Sequence, residues 1–405
     1  MIWVGEEVVF RNILMVDYEL MGAVLCFALL LFSLPATFIL LSRLFKGARR
    51  IPPLTPQNPT PELLGSVSVV VPTLNEVERI SPCLMGLTRQ SYEVREIIIV
   101  DSNSEDGTQE LVKAAKKLDP RVRLITDSPL PKGWVGRPWA LNYGLNYSSP
   151  DSEWILGIDA DTQPQSGLVA ALVQAAQTGG YDVVSLSPQF ILKEPGEWWL
   201  QPALLMTLLY RFDPAGAKAE IPERVMANGQ CFLSRRAVLQ EVGGYESAKA
   251  SFCDDVTLAR HIATAGFKVG FLDGAQVIKV RMYEGWRETW REWGRSLDLK
   301  DASSPGQLAS DLWLLLATQA LPLPTLLFCL IYSALGYNSI PVVITAGLNL
   351  FLLAIRFALL FAVAPSYAGR KPLYFWLSPF ADILAVSRIF LSANQQPTQW
   401  RGRNY

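Results

Sequence analysis

The stretch Trp154-Ile155-Leu156-Gly157-Ile158-Asp159-Ala160-Asp161-Thr162 decides the fold, because an apolar strand runs directly into two carboxylates. Side chains alternate between the two faces of a strand, but the backbone turns at the strand end, so Asp159 and Asp161 can point into one crevice. In open α/β sheets, ligands bind in the crevice beyond the carboxyl ends of the strands. Two carboxylates with open coordination positions suit Mg²⁺ or Mn²⁺ carrying a diphosphate. A solvated turn before a helix is the alternative that this stretch alone leaves open.

The composition favours a membrane protein and disfavours several other classes. The chain has 405 residues, a formal net charge of -1 and 50% hydrophobic residues, and its mean hydropathy is +0.22. A near-neutral charge gives no basis for nucleic-acid binding, so no nucleic-acid partner is expected. The five cysteines are scattered without a C-x-x-C pair and His261 is the single histidine, so a zinc site is not expected.

Uncharged segments lie at both ends of the chain. Met21 to Ser42 is long enough to span a bilayer, and acidic residues precede it while basic residues follow. This order is the reverse of a signal peptide, so we expect an uncleaved anchor whose C-terminal side is cytoplasmic. Leu312 to Ile355 predicts two spanning helices joined at Gly336–Ser339, the first of them kinked by Pro322 and Pro324.

A further segment, Leu373 to Phe390, is weaker because it contains Pro379 and Asp382. We expect it to be re-entrant or interfacial. Arg356 and Asp382 both lie near bilayer depth, where a lone charge is costly. The hypothesis is that these two side chains pair with each other.

Between the membrane segments the pattern changes to alternating strands and helices. Val67–Val71, Glu96–Val100 and Val122–Thr126 are short apolar runs, each separated from the next by a polar loop and a helical pattern. Such repetition predicts right-handed βαβ units and a parallel sheet. The almost wholly apolar strands are typical of a sheet covered on both faces.

Polar side chains follow these strands on one predicted edge of the sheet. Asp101, with Asn75 and Glu76 nearby, suits a nucleoside whose base N–H or ribose hydroxyl donates to the carboxylate. Lys132 and Arg137 stand before a helix N-terminus, which suits phosphate oxygens. The alternatives are ordinary turn formers and surface cations.

Two later motifs carry candidate functions. Asp254 and Asp255 begin a helical pattern, where they suit either a helix cap or a general base. Trp286, Trp290 and Trp293 recur at i, i+4 and i+7 beside arginines, which predicts a helix lying in the membrane interface.

Together these motifs resemble the family 2 glycosyltransferases with a GT-A fold, over about residues 65–300. The residues that carry the resemblance are Val71–Glu76, Val100–Thr108, Asp159–Asp161 and Asp254–Asp255. Within the family, the Pro-Lys-Gly-Trp-Val-Gly-Arg-Pro-Trp-Ala loop at 131–140 resembles membrane enzymes that glycosylate carotenoids, hopanoid-associated lipids and ceramide. Enzymes acting on a carotenoid hydroxyl are the most similar of these.

The resemblance implies roles for individual residues. The nucleotide-binding set would be Pro72, Asn75, Glu76, Asp101, Lys132, Arg137 and Asp159. Asp161, with Asp159, would hold the metal, and Asp255, beside Asp254, would be the base that deprotonates the acceptor hydroxyl. The family's processive and ceramide-type members carry Gln-x-x-Arg-Trp, whereas this chain reads Glu292-Trp293-Gly294-Arg295-Ser296. Arg295 keeps the cation, but the altered motif favours transfer of a single sugar.

The sequence therefore predicts an α/β, GT-A fold with transmembrane helices at both ends. The expected order is 1–50 extracytoplasmic stretch and anchor, 51–64 linker, 65–282 cytoplasmic catalytic domain, 283–311 interfacial helix, 312–390 hairpin plus a third membrane segment, and 391–405 polar tail. The expected activity is inverting transfer of one sugar from a UDP- or GDP-linked donor to a lipid-soluble hydroxyl such as that of a carotenoid. A ceramide-like or other glycolipid transferase, a processive polysaccharide synthase and a non-enzymatic membrane scaffold are the alternatives.

Overall fold

The computed structural model describes residues 3–219, 221–293, 297, 299–395, 399–400 and 403–404, with side chains between residues 19 and 395 of those ranges. Mixed β-structure and helices fill the middle of the chain, and long apolar helices flank it.

The central element is a seven-stranded sheet in the order β3-β2-β1-β4-β8-β6-β9. The strands are β1 (Val67–Thr73), β2 (Val94–Asp101), β3 (Val122–Thr126), β4 (Trp154–Ile158), β5 (Thr162–Pro164), β6 (Val183–Ser187), β7 (Gln189–Phe190), β8 (Cys231–Arg235), β9 (Val269–Asp273) and β10 (Ile278–Val280). β8 runs antiparallel to β4 and β6, while the other neighbouring pairs are parallel. A second small sheet has the order β5-β10-β7.

Helices cover both faces of the sheet and continue into the membrane segments. They are α1 (Trp3–Lys46), α2 (Ile80–Thr88), α3 (Thr108–Leu118), α4 (Gly136–Tyr147), α5 (Leu168–Gly179), α6 (Pro195–Arg211), α7 (Arg236–Glu241), α8 (Asp254–Thr264), α9 (Gly285–Glu288), α10 (Pro305–Leu315), α11 (Pro322–Ala334), α12 (Ile340–Val363), α13 (Leu373–Trp376) and α14 (Asp382–Asn394). The three predicted strands and the helices between them fall where the sequence pattern put them.

The sheet core explains why α4 lies where it does. Val70 and Val100 of β1 and β2 are fully buried, as expected of strands covered on both faces. A Cβ at Gly144 of α4 would stand 2.3 Å from Cγ1 of Val70, so only glycine lets the helix backbone rest on the sheet. This close packing fixes the first turn of α4, which carries Arg137.

The parallel strands bring several polar residues to one edge. Asp101 ends β2 opposite Thr73 of β1, and Asp159 follows β4 directly. Ser187 and Asp273 end β6 and β9 in the same register. The crevice predicted from the strand ends therefore extends across the whole sheet, and not only over its first half.

The proline-rich linker is held against the catalytic domain. It is extended, as expected, but its backbone is hydrogen-bonded: Leu54 N donates to Asp273 O at 2.8 Å and Gln57 N donates to Gly167 O at 3.3 Å. The anchor is thereby tied to the end of β9.

The flanking helices have the length and composition of membrane spans. Among the described residues, Glu19–Arg49 and Ile340–Ser366 are long and apolar enough to cross a bilayer, and α10 and α11 make a third candidate bent by 46°. The bend lies at the predicted prolines, where a π-helical turn at Leu316–Ala320 precedes Pro322. The predicted interfacial stretch at 283–311 differs in one respect, because residues 305–311 already belong to α10.

The last membrane segment is broken, and it contains the predicted ion pair. α13 and α14 are short helices separated by the 3₁₀ turn Ser378–Ala381. Arg356 Nε and Nη2 donate to the carboxylate of Asp382 at 2.8 and 3.0 Å, with both side chains buried. The hypothesis that these two residues pair is confirmed as a contact.

The tryptophan stripe differs from its prediction. α9 passes into a π-helical turn at Thr289–Trp293, which shifts the side-chain period away from i, i+4, i+7. Trp286 is 55% exposed, whereas Trp293 is buried and its ring lies 5.6 Å from that of Phe190. Only Trp286 of these two thus remains available to a membrane interface.

Candidate active site

Asp159 and Asp161 lie on the tight turn between β4 and β5. Thr162 closes this turn, because its Oγ1 donates to the carbonyl of Asp159 at 2.7 Å. Asp161 is buried, Asp159 is half-buried, and both line one cavity. The turn thus brings the two carboxylates into one crevice, as their one-residue spacing predicted.

Arg137 is at the centre of the carboxylate cluster. Its Nε donates to Asp159 Oδ1 at 2.9 Å and its Nη2 to the carbonyl of Gly229 at 2.7 Å, while Nη1 is paired with Asp254. Burial acts to lower the pKa of Arg137, but Asp159, Asp254 and Asp255 together raise that pKa above its ordinary value. The guanidinium is therefore permanently charged and joins the two acidic motifs of the chain.

Gly229 fixes the second acidic motif from the other side. Its N–H donates to Asp255 Oδ2 at 2.6 Å, and Val256 N–H donates to Oδ1 at 2.9 Å. A Cβ at position 229 would stand 2.4 Å from Nη2 of Arg137, so only glycine leaves room for the guanidinium. The carboxylate of Asp255 is held rigidly at the start of α8.

The two acids of this motif differ in exposure. Burial raises the pKa of Asp254 to about 7; Arg137 opposes this, and Asp255 and Asp159 add to it. Burial likewise raises the pKa of Asp255, against Arg137 and two backbone N–H groups. Both line the cavity, but Asp254 is 5% exposed, whereas Asp255 is half-buried. Of the two, Asp255 is the better placed to accept a proton from a ligand.

The donor set at the turn fits a divalent metal bound jointly with a ligand. Among the described residues, no group of three or more His, Cys, Asp or Glu side chains is arranged to hold a metal by itself. Asp161 supplies hard oxygen atoms to the cavity, while one oxygen of Asp159 is already paired with Arg137. Mg²⁺ and Mn²⁺ bind through one or two carboxylates completed by phosphate oxygens, so Asp161 suits such an ion.

Hydrogen bonds connect the loop after β1 to the loop after β2, on the other side of the crevice. Asn75, with a positive φ of 55°, donates its N–H to Ser104 Oγ at 2.9 Å, and its Oδ1 accepts from Glu105 N–H at 3.0 Å. The N–H of the buried Glu76 donates to Thr108 Oγ1 at 2.8 Å. These contacts hold the two predicted nucleotide loops as one rigid wall.

Asp101 is buried beneath that wall. Its Oδ1 accepts from Ser104 N–H at 2.9 Å and Gln109 Nε2 at 2.7 Å, and its Oδ2 accepts from Thr73 Oγ1 and Ser104 Oγ at 3.1 and 2.6 Å. Its side chain is fully buried. In the structure Asp101 shapes the loop, and its direct contact with a nucleotide stays a prediction.

A single cavity of about 450 Å³ joins Asp159, Asp161 and Asp255 to an apolar wall. The apolar side chains of this wall are Leu205, Leu208, Leu209, Phe212, Met226, Phe271, Met282, Leu297, Leu299 and Val363. Val363 belongs to α12, a candidate membrane span. The cavity that contains the carboxylates therefore extends to α12.

Of the predicted site residues, Asn75, Glu76 and Asp101 are not among the described residues that line this cavity, and three more lie elsewhere. Pro72 is within β1, and Lys132 is exposed on the loop before α4; neither is among the described residues that line this cavity. Arg295 lies outside the described residues. The suggested phosphate-binding role of the 131–140 loop therefore rests on Arg137.

The sequence reasoning missed four residues that line the cavity. Arg50, Asp213, Gly229 and Asp273 come from the end of the anchor, the turn after α6, the loop before β8 and the end of β9. Asp273 carried a signal, since it ends an apolar strand as Asp101 and Asp159 do. Arg50 and Asp213 carried none, because only tertiary packing brings them there.

Known proteins share this architecture. The family description "Glycosyl transferase family 2" matches residues 68–243, and "Glycosyl transferase family 21" matches residues 203–405, half of the chain. The mannosyltransferase PcManGT of Pyrobaculum calidifontis, solved with GDP-Man and Mn²⁺, has 21% identity and a TM-score of 0.53, covering 90% of this chain and 97% of that one. The chain belongs to glycosyl transferase family 21, whose description matches half of it, and its residues 68–243 also match glycosyl transferase family 2.

Curated relatives are similar over part of their length. The 4,4'-diaponeurosporenoate glycosyltransferase of Staphylococcus haemolyticus is 23% identical over 60% of this chain and 64% of its own length. The GalNAc(5)-diNAcBac-PP-undecaprenol beta-1,3-glucosyltransferase of Campylobacter jejuni is 30% identical over 29% of this chain and 36% of its own length. The chain spans less than two thirds of the length of these relatives.

Proposed function

We propose that this protein is a membrane-bound, inverting glycosyltransferase that moves one sugar from a nucleotide-sugar to the hydroxyl of a lipid-soluble acceptor. The observation that carries the proposal is the cavity of about 450 Å³, which is lined by Asp159, Asp161 and Asp255 and extends to Val363 of α12, a candidate membrane span. An apolar wall of this extent suits the hydrocarbon part of a lipid-soluble acceptor. The relatives named for a carotenoid acid and for a polyprenol-linked glycan act on acceptors of the lipid class.

The donor would lie across the first half of the crevice. The wall formed by Asn75 and Glu76 would contact the nucleoside, and Asp161 and Asp159 would hold Mg²⁺ or Mn²⁺ on the diphosphate. A divalent cation there neutralises the charge that develops on the leaving diphosphate. Arg137 adds a fixed positive charge at the same place, where burial strengthens its effect.

Asp255 would take the proton from the acceptor hydroxyl as its oxygen attacks the anomeric carbon. The bond to the leaving diphosphate breaks on the opposite side, so the anomeric configuration inverts. Asp254 would have the role of a positioning residue, because its carboxylate is buried and paired with Arg137 even though it borders the cavity. Arg137 and Gly229 keep the Asp255 carboxylate aimed in one direction.

The membrane topology follows from charge. Arg43, Lys46, Arg49 and Arg50 follow the first span, and such an excess of cations favours the cytoplasmic side. The catalytic domain would therefore face the cytoplasm, where nucleotide-sugars are made. The polar tail would lie on the same side.

The test uses purified full-length protein in detergent with Mg²⁺ or Mn²⁺ and a panel of UDP-, GDP- and dTDP-sugars. Release of nucleoside diphosphate is followed with and without a membrane lipid extract, for the wild type, Asp255→Asn and Asp161→Ala. Asp151→Asn is the matched control, since this carboxylate is exposed and outside the cavity. We expect release that needs lipid, metal and both site carboxylates.

If no donor in the panel gives release of nucleoside diphosphate, and donor binding is unchanged in Asp161→Ala, the result would favour a non-enzymatic scaffold. Repeated addition of sugars to one acceptor, read by mass spectrometry, would favour a polysaccharide synthase. A single added hexose on ceramide-like lipids would favour the glycolipid alternative over a carotenoid.

A further inference from the structure

Gln230 lines the candidate active site, and the proposed transfer gives it no role. It directly precedes β8, is 3% exposed, and borders the cavity that Asp159, Asp161 and Asp255 share. Its amide nitrogen Nε2 is buried and donates no hydrogen bond among the described residues. Because buried polar groups are almost always hydrogen-bonded, an unused donor at the edge of a cavity indicates an acceptor on a ligand.

The orientation of this amide is fixed by Asn228. The backbone N–H of Gln230 donates to Asn228 Oδ1 at 3.0 Å, and since a backbone N–H can only donate, this contact identifies the oxygen of the Asn228 amide. Nδ2 of Asn228 then donates to Oε1 of Gln230 at 3.2 Å. The group of Gln230 that remains without a partner is therefore its NH₂ group, an uncharged hydrogen-bond donor.

Asn228 is itself held by the central sheet. Its N–H donates to Ser185 Oγ at 2.7 Å, and the same hydroxyl donates to the carbonyl of Asn228 at 2.9 Å. Ser185 belongs to β6 and is fully buried. The amide of Gln230 is thus oriented before a ligand arrives, which reduces the entropic cost of binding.

The strand register places Gln230 beside Asp159. β4 and β8 are antiparallel, with Ile158 opposite Cys231. Asp159 and Gln230 form the next pair, and Asp159 N–H donates to the Gln230 carbonyl at 3.4 Å. Opposed side chains of an antiparallel pair project from the same face, with Cβ atoms about 4.5–5.5 Å apart. The side chain of Gln230 therefore adjoins the turn proposed to hold the metal and the diphosphate.

The candidate base lies on the other side of Gln230. Gly229, the preceding residue, donates its N–H to Asp255 at 2.6 Å. Inversion requires attack opposite the leaving group, so the transferred sugar would lie between Asp255 and the diphosphate. Gln230 adjoins both, and its NH₂ group faces the cavity between them.

The chemistry of this donor matches a sugar hydroxyl. The diphosphate would have charged partners in Arg137 and in a metal held by Asp161, and charge-assisted contacts are the stronger ones for phosphate oxygens. An uncharged amide suits an uncharged hydroxyl oxygen, which can accept from it and still donate its own hydrogen to a nearby carboxylate.

We propose that Gln230 binds the transferred sugar by donating a hydrogen bond from Nε2 to one of its hydroxyl oxygens, and that this contact contributes to the choice of sugar. The inference deepens the proposed function and rests on it for the position of the sugar. It is tested by binding alone, without acceptor.

The test uses full-length protein in detergent with Mn²⁺ and isothermal titration calorimetry. The probes are UDP-glucose, UDP-galactose, GDP-mannose and dTDP-glucose, each beside its own nucleoside diphosphate. Gln230→Met replaces the amide by an apolar side chain of similar length and flexibility. We expect this change to weaken binding of the preferred nucleotide-sugar about three- to tenfold and to leave binding of its nucleoside diphosphate within about twofold.

Deoxy analogues of the preferred donor, each lacking one hydroxyl, identify the contact. One analogue should bind the wild type about three- to tenfold more weakly than the parent donor. It should bind Gln230→Met as well as the parent donor does, because both changes remove the same hydrogen bond. Gln177→Met is the matched control, since this glutamine of α5 is exposed and is not among the described residues that line the cavity.

A second variant separates loss of the contact from loss of the fold. Gln230→Glu keeps an oxygen for Asn228 Nδ2 and replaces only the NH₂ group, so it takes the place of Gln230→Met if that variant lowers the unfolding midpoint. The quantity compared is the ratio of nucleotide-sugar affinity to nucleoside diphosphate affinity, in which an effect on the diphosphate cancels. We expect this ratio to fall.

Equal losses for nucleotide-sugar and nucleoside diphosphate overturn the inference. Unchanged binding of both also overturns it, because water would then satisfy the amide, and so do deoxy analogues that all weaken binding equally in wild type and variant. Wild-type protein that binds no nucleotide-sugar would overturn the inference and the proposed function together.

Nucleoside diphosphate release with a membrane lipid extract is measured on the same preparations. A loss confined to sugar binding, without lipid-dependent release from any donor, would leave the inference standing while the proposed function fails. Lipid-dependent release by a wild type whose donor affinity Gln230→Met reproduces would do the reverse.

Discussion

Two buried arginines bind aspartates in this protein, and their surroundings differ. Arg356 in α12 meets one carboxylate, that of Asp382, through two hydrogen bonds. Arg137 in α4 meets Asp159 and Asp254, with Asp255 raising the pKa of the guanidinium further. One site is balanced in charge, and the other holds more carboxylates than cations.

The comparison indicates that the balanced ion pair stabilises the fold, whereas the site with surplus carboxylates binds a ligand. A balanced pair within apolar helices neutralises its own charge, and Gln319 adds a third hydrogen bond by donating to Asp382 Oδ1 at 3.0 Å. Surplus buried carboxylates are unfavourable for folding, so they persist where a cation or a proton is to be bound. We expect substitutions at the first site to act on stability and those at the second to act mainly on activity.

The largest effect on activity is expected for Asp255→Asn. The amide cannot accept the acceptor's proton, so kcat should fall by about 10²–10⁴-fold. The amide oxygen keeps one of the two backbone hydrogen bonds, from Gly229 or from Val256, so thermal unfolding should change far less than activity. The measurement is nucleoside diphosphate release at saturating donor and lipid, beside the unfolding midpoint. A fall in kcat that is accompanied by a large fall in the unfolding midpoint would contradict the division between the two arginine sites.

Arg356→Ala should have the largest effect on stability. It leaves Asp382 buried without its partner, and breaking a buried pair from one side costs about 3–5 kcal/mol of unfolding free energy. Asp382→Ala should do the same from the other side. The double variant should be no worse than either single one, as read from unfolding in detergent. Simple additivity of the two losses would show that the residues are not a coupled pair.

The contact between these two residues could be predicted from the sequence because bilayer depth leaves a lone charge few partners. The parallel strands and the Asp159–Asp161 turn could also be predicted, because local sequence patterns indicate them. Trp293 was misplaced, because a π-helical turn has no reliable signature in hydrophobic spacing. The part of the cavity lined by Arg50, Asp213 and Asp273 could not be predicted either, because these residues are distant in sequence and only packing of the linker onto β9 brings them together.

Asp101 shows a different limit of prediction. Its position at a strand end was correct, but the sequence does not reveal how many donors reach a carboxylate. Ser104, Gln109 and Thr73 occupy both its oxygens. A motif locates a residue on an edge of the sheet, whereas its exposure depends on the side chains that fold over it.

Through the ionisation of Asp254, a change of pH should have an intermediate effect on the free energy of unfolding. Burial raises its pKa from 3.8 to about 7 in the folded protein, so the folded state binds the proton more tightly than the unfolded state does. The stability contributed by this carboxyl is therefore present below about pH 4 and is lost as pH rises through about 7, by about 2–4 kcal/mol. Asp254→Asn should lack this slope.

The measurement is the unfolding midpoint of the wild type and of Asp254→Asn in metal-free buffer between pH 4 and 8. The wild type should lose stability relative to the variant as pH rises. Parallel curves would mean that Asp254 is ionised throughout this range. Arg137 would then compensate it fully, and the contrast with the balanced pair of Arg356 would disappear for this carboxylate.

The smallest effect is expected at an ion pair that lies between the two kinds of site. Arg79, just before α2, and Glu288 of α9 approach to 3.4 Å with side chains 23% and 27% exposed. Pairs of this exposure contribute about 0–1 kcal/mol and weaken with salt, so Arg79→Gln should change donor KM by less than about fivefold.

Since the pair joins a nucleotide loop to the segment covering the acceptor cavity, the informative comparison is the effect of each single variant on KM for donor and for acceptor. Equal small effects that vanish at high salt would make it a surface contact. A larger effect of Glu288→Gln on donor KM than on acceptor KM would mean that α9 contributes to donor binding. Functional sites in this protein would then include a balanced ion pair as well as the surplus carboxylates.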